Sequence, residues 1–224
     1  MGVAVTGAND GRPSWRGRYG GSANRSPAPK PATLRVSGSV PVSDARVPHR
    51  LFRPVFPSPA SLVTSVKPDG SPNAITLGET FNLSIREPVI VGIAIAPERY
   101  SHELIREQGD FVVNLPPASL IAKVMACGSM SGRDHDKFTE VGLTPLPAEH
   151  VRPPLIAECP VNLECRLLDV QTIGDHDLFQ GELLQHHVSP ELLSDDGSFD
   201  PSKLSTICMA GGHFFDLGEH LRKW

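Results

Sequence analysis

Apolar and polar residues in the middle of this chain fall into short runs with the period of β-strands, and Pro and Gly punctuate them. Ser61 to Val66 is one such run and Val89 to Ala96 another, with further strands predicted at Val161 to Ile173, Leu178 to Val188 and Leu204 to Met209. Asp69-Gly70 between two β-prone stretches is a hairpin signal. The run from Val89 breaks at Pro97 and passes through Glu98-Arg99-Tyr100-Ser101-His102 into a helical pattern. In that helix Ser101 suits the N-cap, Glu103 the first turn, Leu104 and Ile105 a core-facing side, and Gly109 the stop. Amphipathic spacing predicts two more short helices, Pro116 to Ala126 and Asp134 to Val141, and Gly218 to Trp224 reads as a terminal helix or cap. No internal repeat is present.

Composition limits what this pattern can be. The chain has 224 residues, 39% hydrophobic and 21% charged, which suits one substantial core, and its 22 Pro and 20 Gly favour short strands and turns over long helices. Charge is uneven: residues 1–50 hold 8 Arg or Lys against 2 acids, a net +6, so a chain at −4 leaves −10 for the rest. An acidic domain is a poor nucleic-acid binder. The basic N-terminal stretch offers little to bury and is expected to be a mobile extension over residues 1–45, with one folded domain over 46–224. Its repeated Pro and Gly argue against an organelle-import helix. Its opening, Val3-Ala4-Val5-Thr6-Gly7-Ala8, imitates a short-chain dehydrogenase, but Arg12-Pro13-Ser14-Trp15-Arg16-Gly17 supplies no following helix for a dinucleotide. With no membrane-spanning apolar run and no secretory segment, a cytoplasmic protein is expected.

Three segments carry candidate chemistry. The helix start at Tyr100 and Ser101, with Arg99 beside it, would attract a phosphate through free N–H groups, the helix dipole and a guanidinium. Asn73 and Thr76, in Asp69 to Glu79, could present hydrogen bonds to a ligand, and Gly78 would let a flat ring approach the main chain. The loop Cys127 to Phe138 could wrap an anion through backbone amides, Arg133 and Lys137. Taken singly, each also fits a plain role: a solvated charge, an ordinary hairpin, a surface loop. Gly174-Asp175-His176-Asp177 likewise fits either a tight turn or a site residue. The cysteines at 127, 159, 165 and 208 lack Cys-x-x-Cys spacing, and buried inert thiols are expected, with Cys127 worth testing for reactivity. His186 and His187, adjacent on a strand, point to opposite faces and make a poor metal pair.

In order along the chain, Asp-Gly-Ser-Pro-Asn-Ala-Ile-Thr-Leu-Gly-Glu at 69–79, Pro-Glu-Arg-Tyr-Ser-His-Glu-Leu-Ile at 97–105, Phe-Val-Val-Asn-Leu-Pro at 111–116, Ser-Gly-Arg-Asp-His-Asp-Lys-Phe at 131–138 and Gly-Asp-His-Asp-Leu-Phe-Gln-Gly-Glu at 174–182 resemble the flavin reductase-like, FMN-binding split-barrel family, and more closely its flavoredoxin-like branch. The resemblance runs from about Phe52 to Trp224. It implies a mainly β fold, a six-stranded Greek-key barrel with short flanking helices, working as a homodimer with one FMN per subunit. It also implies that Asn73, Ala74, Thr76, Leu77, Gly78 and Glu79 line the isoalloxazine, and that Arg99, Tyr100 and Ser101 hold the phosphate. Ser131, Gly132, Arg133 and Lys137 would close over that phosphate, and His176 would stand at the exposed flavin face where NADH or NADPH stacks. The implied activity is an NAD(P)H-dependent flavin reductase serving a flavin-dependent oxygenase or a redox protein. The alternative is a flavoredoxin-type electron carrier without nicotinamide turnover. A pyridoxamine-phosphate-oxidase-like enzyme fits less well, because that family's basic substrate cluster is missing. Glu79 departs from the aromatic residue of many reductases, which leaves the substrate side of the flavin less defined than the cofactor.

Overall fold

The structure is a computed structural model that describes Pro48 and residues 50–218. The predicted N-terminal extension and the terminal helix after Gly218 lie outside the described residues. Among the described residues there are twelve strands: β1 (Ser58–Pro59), β2 (Ser61–Val66), β3 (Pro72–Leu77), β4 (Thr80–Ser84), β5 (Ile90–Ile95), β6 (Asp110–Leu115), β7 (Pro145–Leu146), β8 (Leu155–Ile156), β9 (Val161–Ile173), β10 (His176–Val188), β11 (Ile207–Ala210) and β12 (His213–Asp216). Three helices join them: α1 (Tyr100–Gln108), α2 (Ile121–Ser129) and α3 (Lys137–Val141). None is long and apolar enough to cross a membrane.

Seven strands, rather than six, form the main antiparallel sheet, in the order β3-β2-β6-β9-β10-β5-β4. Its two edge strands, β3 and β4, are consecutive in the chain and joined only by Gly78 and Glu79. The sheet therefore curls until its edges meet. Ser61 Oγ on β2 hydrogen-bonds Thr80 Oγ1 on β4 at 2.6 Å, and the Ala94 N–H of β5 donates to the Glu79 carbonyl at 3.0 Å. Outside the barrel, β1, β11 and β12 form a small sheet, and β7 pairs with β8.

Alternation along the strands builds two cores. Val63, Ile75, Ile93, Ile95, Phe111 and Phe179 fill the barrel, whereas Leu62, Ala74, Val124, Cys127, Phe138 and Ile156 bury the outer side under α2 and α3. Strand β2 contributes to both and is buried along its whole length. Cys127, Cys159 and Cys165 lie in these cores as free thiols, and burial pushes their pKa values up. Burial thus disfavours the thiolate of Cys127, the form in which a cysteine reacts.

Element ends show where local signals met competitors. The second helix begins as a 3-10 turn, Ala118–Leu120, after the Pro116-Pro117 pair, and runs on to Ser129. The third starts only at Lys137, because Asp136 caps it, accepting from Thr139 N at 3.2 Å and from the Thr139 hydroxyl at 2.7 Å. The strand expected from Leu204 forms at Ile207, behind a 3-10 turn at Pro201–Lys203. His186 and His187 do diverge: the His187 ring hydrogen-bonds Glu164 Oε1 at 2.6 Å. Burial raises the Glu164 carboxyl, but the Glu149 N–H, the His187 ring and the His150 N–H outweigh it, and the pKa ends below the usual range.

Glycines in the sheet differ in tolerance. At Gly181 a Cβ would lie 2.4 Å from Phe111 Cζ and 3.0 Å from Cys165 Cβ, both immobilised in the core. At Gly92 it would meet only the ring of Phe81 and the end of Leu83, which are about 40% exposed and can swing away. Gly181→Ala is expected to cost about 1–3 kcal/mol, a fall in Tm of roughly 3–10 °C. Gly92→Ala should stay within about 0.5 kcal/mol of wild type. Thermal and urea denaturation of the two variants check this difference.

Candidate functional site

A cleft of about 990 Å³ opens where the barrel edges approach, with Ile75, Thr76 and Leu77 of β3 on one side and Ala94 and Ala96 at the end of β5 on the other. Segments distant in sequence converge on it, among them β3, the start of α1, and the end of α2 with the loop that follows it as far as Gly132. Of the residues singled out in the sequence, Thr76, Leu77, Glu79, Arg99, Tyr100, Ser101, Ser131, Gly132, Lys137 and His176 line it. Asn73, Ala74, Gly78 and Arg133 do not.

The first turn of α1 organises one end. Arg99, extended at φ −77° and ψ 133°, is the N-cap, and Gly109 closes the helix at φ 77°. Ser101 is therefore the second helical residue and not the expected cap; its hydroxyl accepts from Asn73 Nδ2 at 2.8 Å. The leading N–H groups of Tyr100 and Ser101 have no acceptor within the helix. Arg99 has only a loose contact with Glu98 at 3.9 Å, and its side chain is 57% exposed, free to meet an anion.

Arg133 has a different duty from the one expected. Its guanidinium pairs with Glu103 Oε2 at 2.6 Å and lies 4.5 Å over the Tyr100 ring, so it clamps the loop onto α1. Ser131 stabilises the same loop, its hydroxyl accepting from Arg133 N at 3.2 Å and its carbonyl from His135 N at 3.1 Å.

Lys137 is 3% exposed at the base of the cleft, and its Nζ donates to the carbonyls of Ala74 and Cys127, both at 2.8 Å. One proton of the ammonium is left over for a ligand. Burial pushes its pKa down to about 8 against a lift from Cys127, and the charges of Lys67 and Arg99 depress it further. An incoming anion would find two cations in the lining at this end, Arg99 and Lys137.

The other end of the cleft lies roughly 16 Å along β3, the rise of the five residues from Asn73 to Gly78. Here the strap Phe52-Arg53-Pro54 forms the wall. Arg53 takes a left-handed backbone, φ 53°, and its guanidinium pairs with Glu79 and rests on the Phe52 ring at 5.5 Å. The close approach that Gly78 permits is made by this guanidinium and by Met209 Sδ, so the space above Gly78 is occupied by protein and not left for a ring. Glu79 faces the cleft as half of an ion pair. The strap was missed in the sequence, although Leu51-Phe52-Arg53-Pro54-Val55-Phe56 is too apolar for a linker.

At the mouth, His176 follows the tight turn at Gly174 (φ 62°) and lines the cleft, so the turn does not take it away from the cleft. Its Nδ1 meets Asp175 Oδ1 at 2.8 Å, a bond that holds the Asp175 carboxyl below its usual pKa. The next residue, Asp177, is buried against His102 Nε2 at 2.8 Å; that bond, with another from Thr172, keeps its carboxyl low. Among the described residues no cluster of side chains has the makings of a metal site.

A donor-rich pole, apolar walls and a polar mouth suit a flat ring system carrying a phosphate. The family model for the flavin reductase like domain matches residues 52–208. The chain belongs to this family. It is 40% identical over 129 residues to an uncharacterized protein of Archaeoglobus fulgidus, covering 58% of this chain and 71% of that one. Its fold is the split barrel: it is similar to the flavoredoxin of Desulfovibrio vulgaris (Miyazaki F), with a TM-score of 0.72, 27% identity and coverage of 81% of this chain and 97% of the other. It is also similar to an FMN-binding protein from Thermus thermophilus with bound p-hydroxybenzaldehyde, with a TM-score of 0.66, 25% identity and coverage of 82% and 99%. The family makes this a flavin-linked oxidoreductase.

Lys137 offers a direct check on the buried-cation end. Between about pH 8 and the ordinary lysine range the unfolded chain holds a proton that the folded chain has released, so this group makes stability rise with pH. Wild type should therefore gain stability relative to Lys137→Met as pH goes from about 8 to 10, read from urea midpoints of both proteins; a constant difference would contradict the burial.

Proposed function

We propose that the protein binds FMN in this cleft and acts as an NAD(P)H-dependent flavin reductase. One observation carries the proposal: two stretches about thirty residues apart bring Arg99 and the first N–H groups of α1 together with the Ser131–Gly132 loop and Lys137 at one end of a single cleft, along which Ile75, Leu77, Ala94 and Ala96 supply apolar wall. This donor set fits a ribityl phosphate. Arg99 and the Tyr100 and Ser101 amides would hold the phosphate, the loop would close over it, and Ile75, Thr76, Leu77 and Ala94 would flank the ring. Bound there, a flavin supplies hydride and electron transfer, and the protein supplies alignment and polarity. His176 at the mouth, fixed by Asp175, would orient the nicotinamide.

The likeness to a flavoredoxin supports a second reading, an FMN electron carrier reduced by a protein partner. Rapid bleaching of the flavin by NADH or NADPH favours the reductase; reduction by dithionite or protein donors alone favours the carrier. A flavin-dependent oxygenase or a redox protein would be the acceptor. The assembly proposed is a homodimer, and four unpaired cysteines accord with the cytoplasm.

The purified protein is expected to be yellow. Arg99→Ala should weaken FMN binding about tenfold or more, the loss of one charge-assisted contact of roughly 1.5–3 kcal/mol, while Tm of the flavin-free protein moves little because the side chain is exposed. His176→Ala should raise KM for the nicotinamide and leave FMN affinity near wild type. Fluorescence titration and stopped-flow reduction measure both, and a colourless protein indifferent to FMN would overturn the proposal.

A further inference from the structure

Asn73 stands behind the cleft, 1% exposed, and touches both elements that form its donor-rich end. Its Nδ2 donates to Ser65 Oγ at 3.1 Å and to Ser101 Oγ at 2.8 Å. Its Oδ1, buried and without a partner, faces Gly132: a Cβ on that glycine would fall 2.0 Å from Oδ1 and 2.9 Å from Cγ. The hydrogen bond to Ser101 has a chemical consequence. A serine oxygen that already accepts from an amide keeps its own proton to donate, and Ser101 lines the cleft.

We propose that Asn73 is a positioning residue that makes Ser101 a hydrogen-bond donor to the phosphate and seats the Gly132 loop against it, and so sets the preference for FMN over unphosphorylated riboflavin. This rests on the reading of the cleft as an FMN site. Helix α1 is anchored in the core by Leu104 and Ile105, whereas the loop is held by Arg133 and by the fit of Gly132 on the Asn73 amide. One side chain therefore sets the gap across which donors converge. An aspartate of the same shape would accept the Ser101 proton, remove that donor from the cleft and add negative charge behind the phosphate.

The test is the ratio of FMN to riboflavin affinity, measured by flavin fluorescence on the full chain. Wild type is expected to prefer FMN. Asn73→Asp should lower that preference at least tenfold with riboflavin affinity nearly unchanged, a pattern that general loosening of the fold would not produce. Ser101→Ala should lower the preference too, and Asn73→Asp should add less on that background. Gly132→Ala, whose methyl group would push the loop off the Asn73 amide, should lower the preference as well. If Asn73→Asp does not fold, the Ser101→Ala and Gly132→Ala results decide the matter. An unchanged preference in Asn73→Asp, Ser101→Ala or Gly132→Ala, or a parallel loss of both flavins, would overturn the role of Asn73 while leaving the FMN site in place. A wild type that binds neither flavin would overturn the site reading and this inference with it.

Discussion

The first turn of α1 is the constraint on which the site depends, because four consecutive side chains in it are tied to three different parts of the chain. Tyr100 lies under the Arg133 guanidinium, Ser101 accepts from Asn73, His102 meets Asp177 and packs edge-on against Phe179 at 5.1 Å, and Glu103 pairs with Arg133. The ties reach β3, β10 and the loop after α2, the same segments that line the cleft. Packing of Leu104 and Ile105 into the core keeps the turn from shifting to satisfy one partner at the expense of another. A helix start held on all sides presents its free N–H groups in one direction, as a phosphate requires.

The barrel supplies the place for that turn. Because β3 and β4 are joined by only two residues yet sit at opposite edges of a seven-stranded sheet, the sheet must curl, and the cleft follows the line where it nearly closes. Strand β3 then serves both sides: Ile75 and Leu77 belong to the barrel core and still border the cleft, and the Ala74 carbonyl receives Lys137. A lysine so buried is costly, and its two carbonyl bonds offset part of the desolvation. The energetic logic is that of a site waiting for an anion: positive charge is held in place by a fold that does not itself neutralise it.

The two ends of the cleft have opposite character. At the α1 end, Lys137 bonds only to carbonyls, and Arg99 has no more than the loose contact with Glu98 at 3.9 Å. At the strap end, Arg53 is matched by Glu79, so polarity is present without net charge. A ligand with one anionic tail therefore has one favourable orientation along β3, phosphate towards α1 and ring towards the strap. Membership of the flavin reductase-like family agrees with such a ligand, and the pairing with Arg53 gives Glu79 a physical role.

What the sequence determined by itself was local or carried in a contiguous motif. Period-two alternation placed β2 and β9 at their observed ends, Gly109 marked the end of α1 through its φ above zero, and the order of five short motifs identified the family and most of the cleft lining. Tertiary structure decided every matter in which two distant side chains compete for one partner. The cap fell to Arg99, and the Ser101 oxygen accepts instead from Asn73, 28 residues earlier. Arg133 is engaged by Glu103 and Tyr100 and does not line the cleft, and the space at Gly78 is filled by an arginine from the strap. Residue type and spacing along a chain report what a group can do; which of its possible partners it reaches depends on how the sheet closes, and that is settled only by packing.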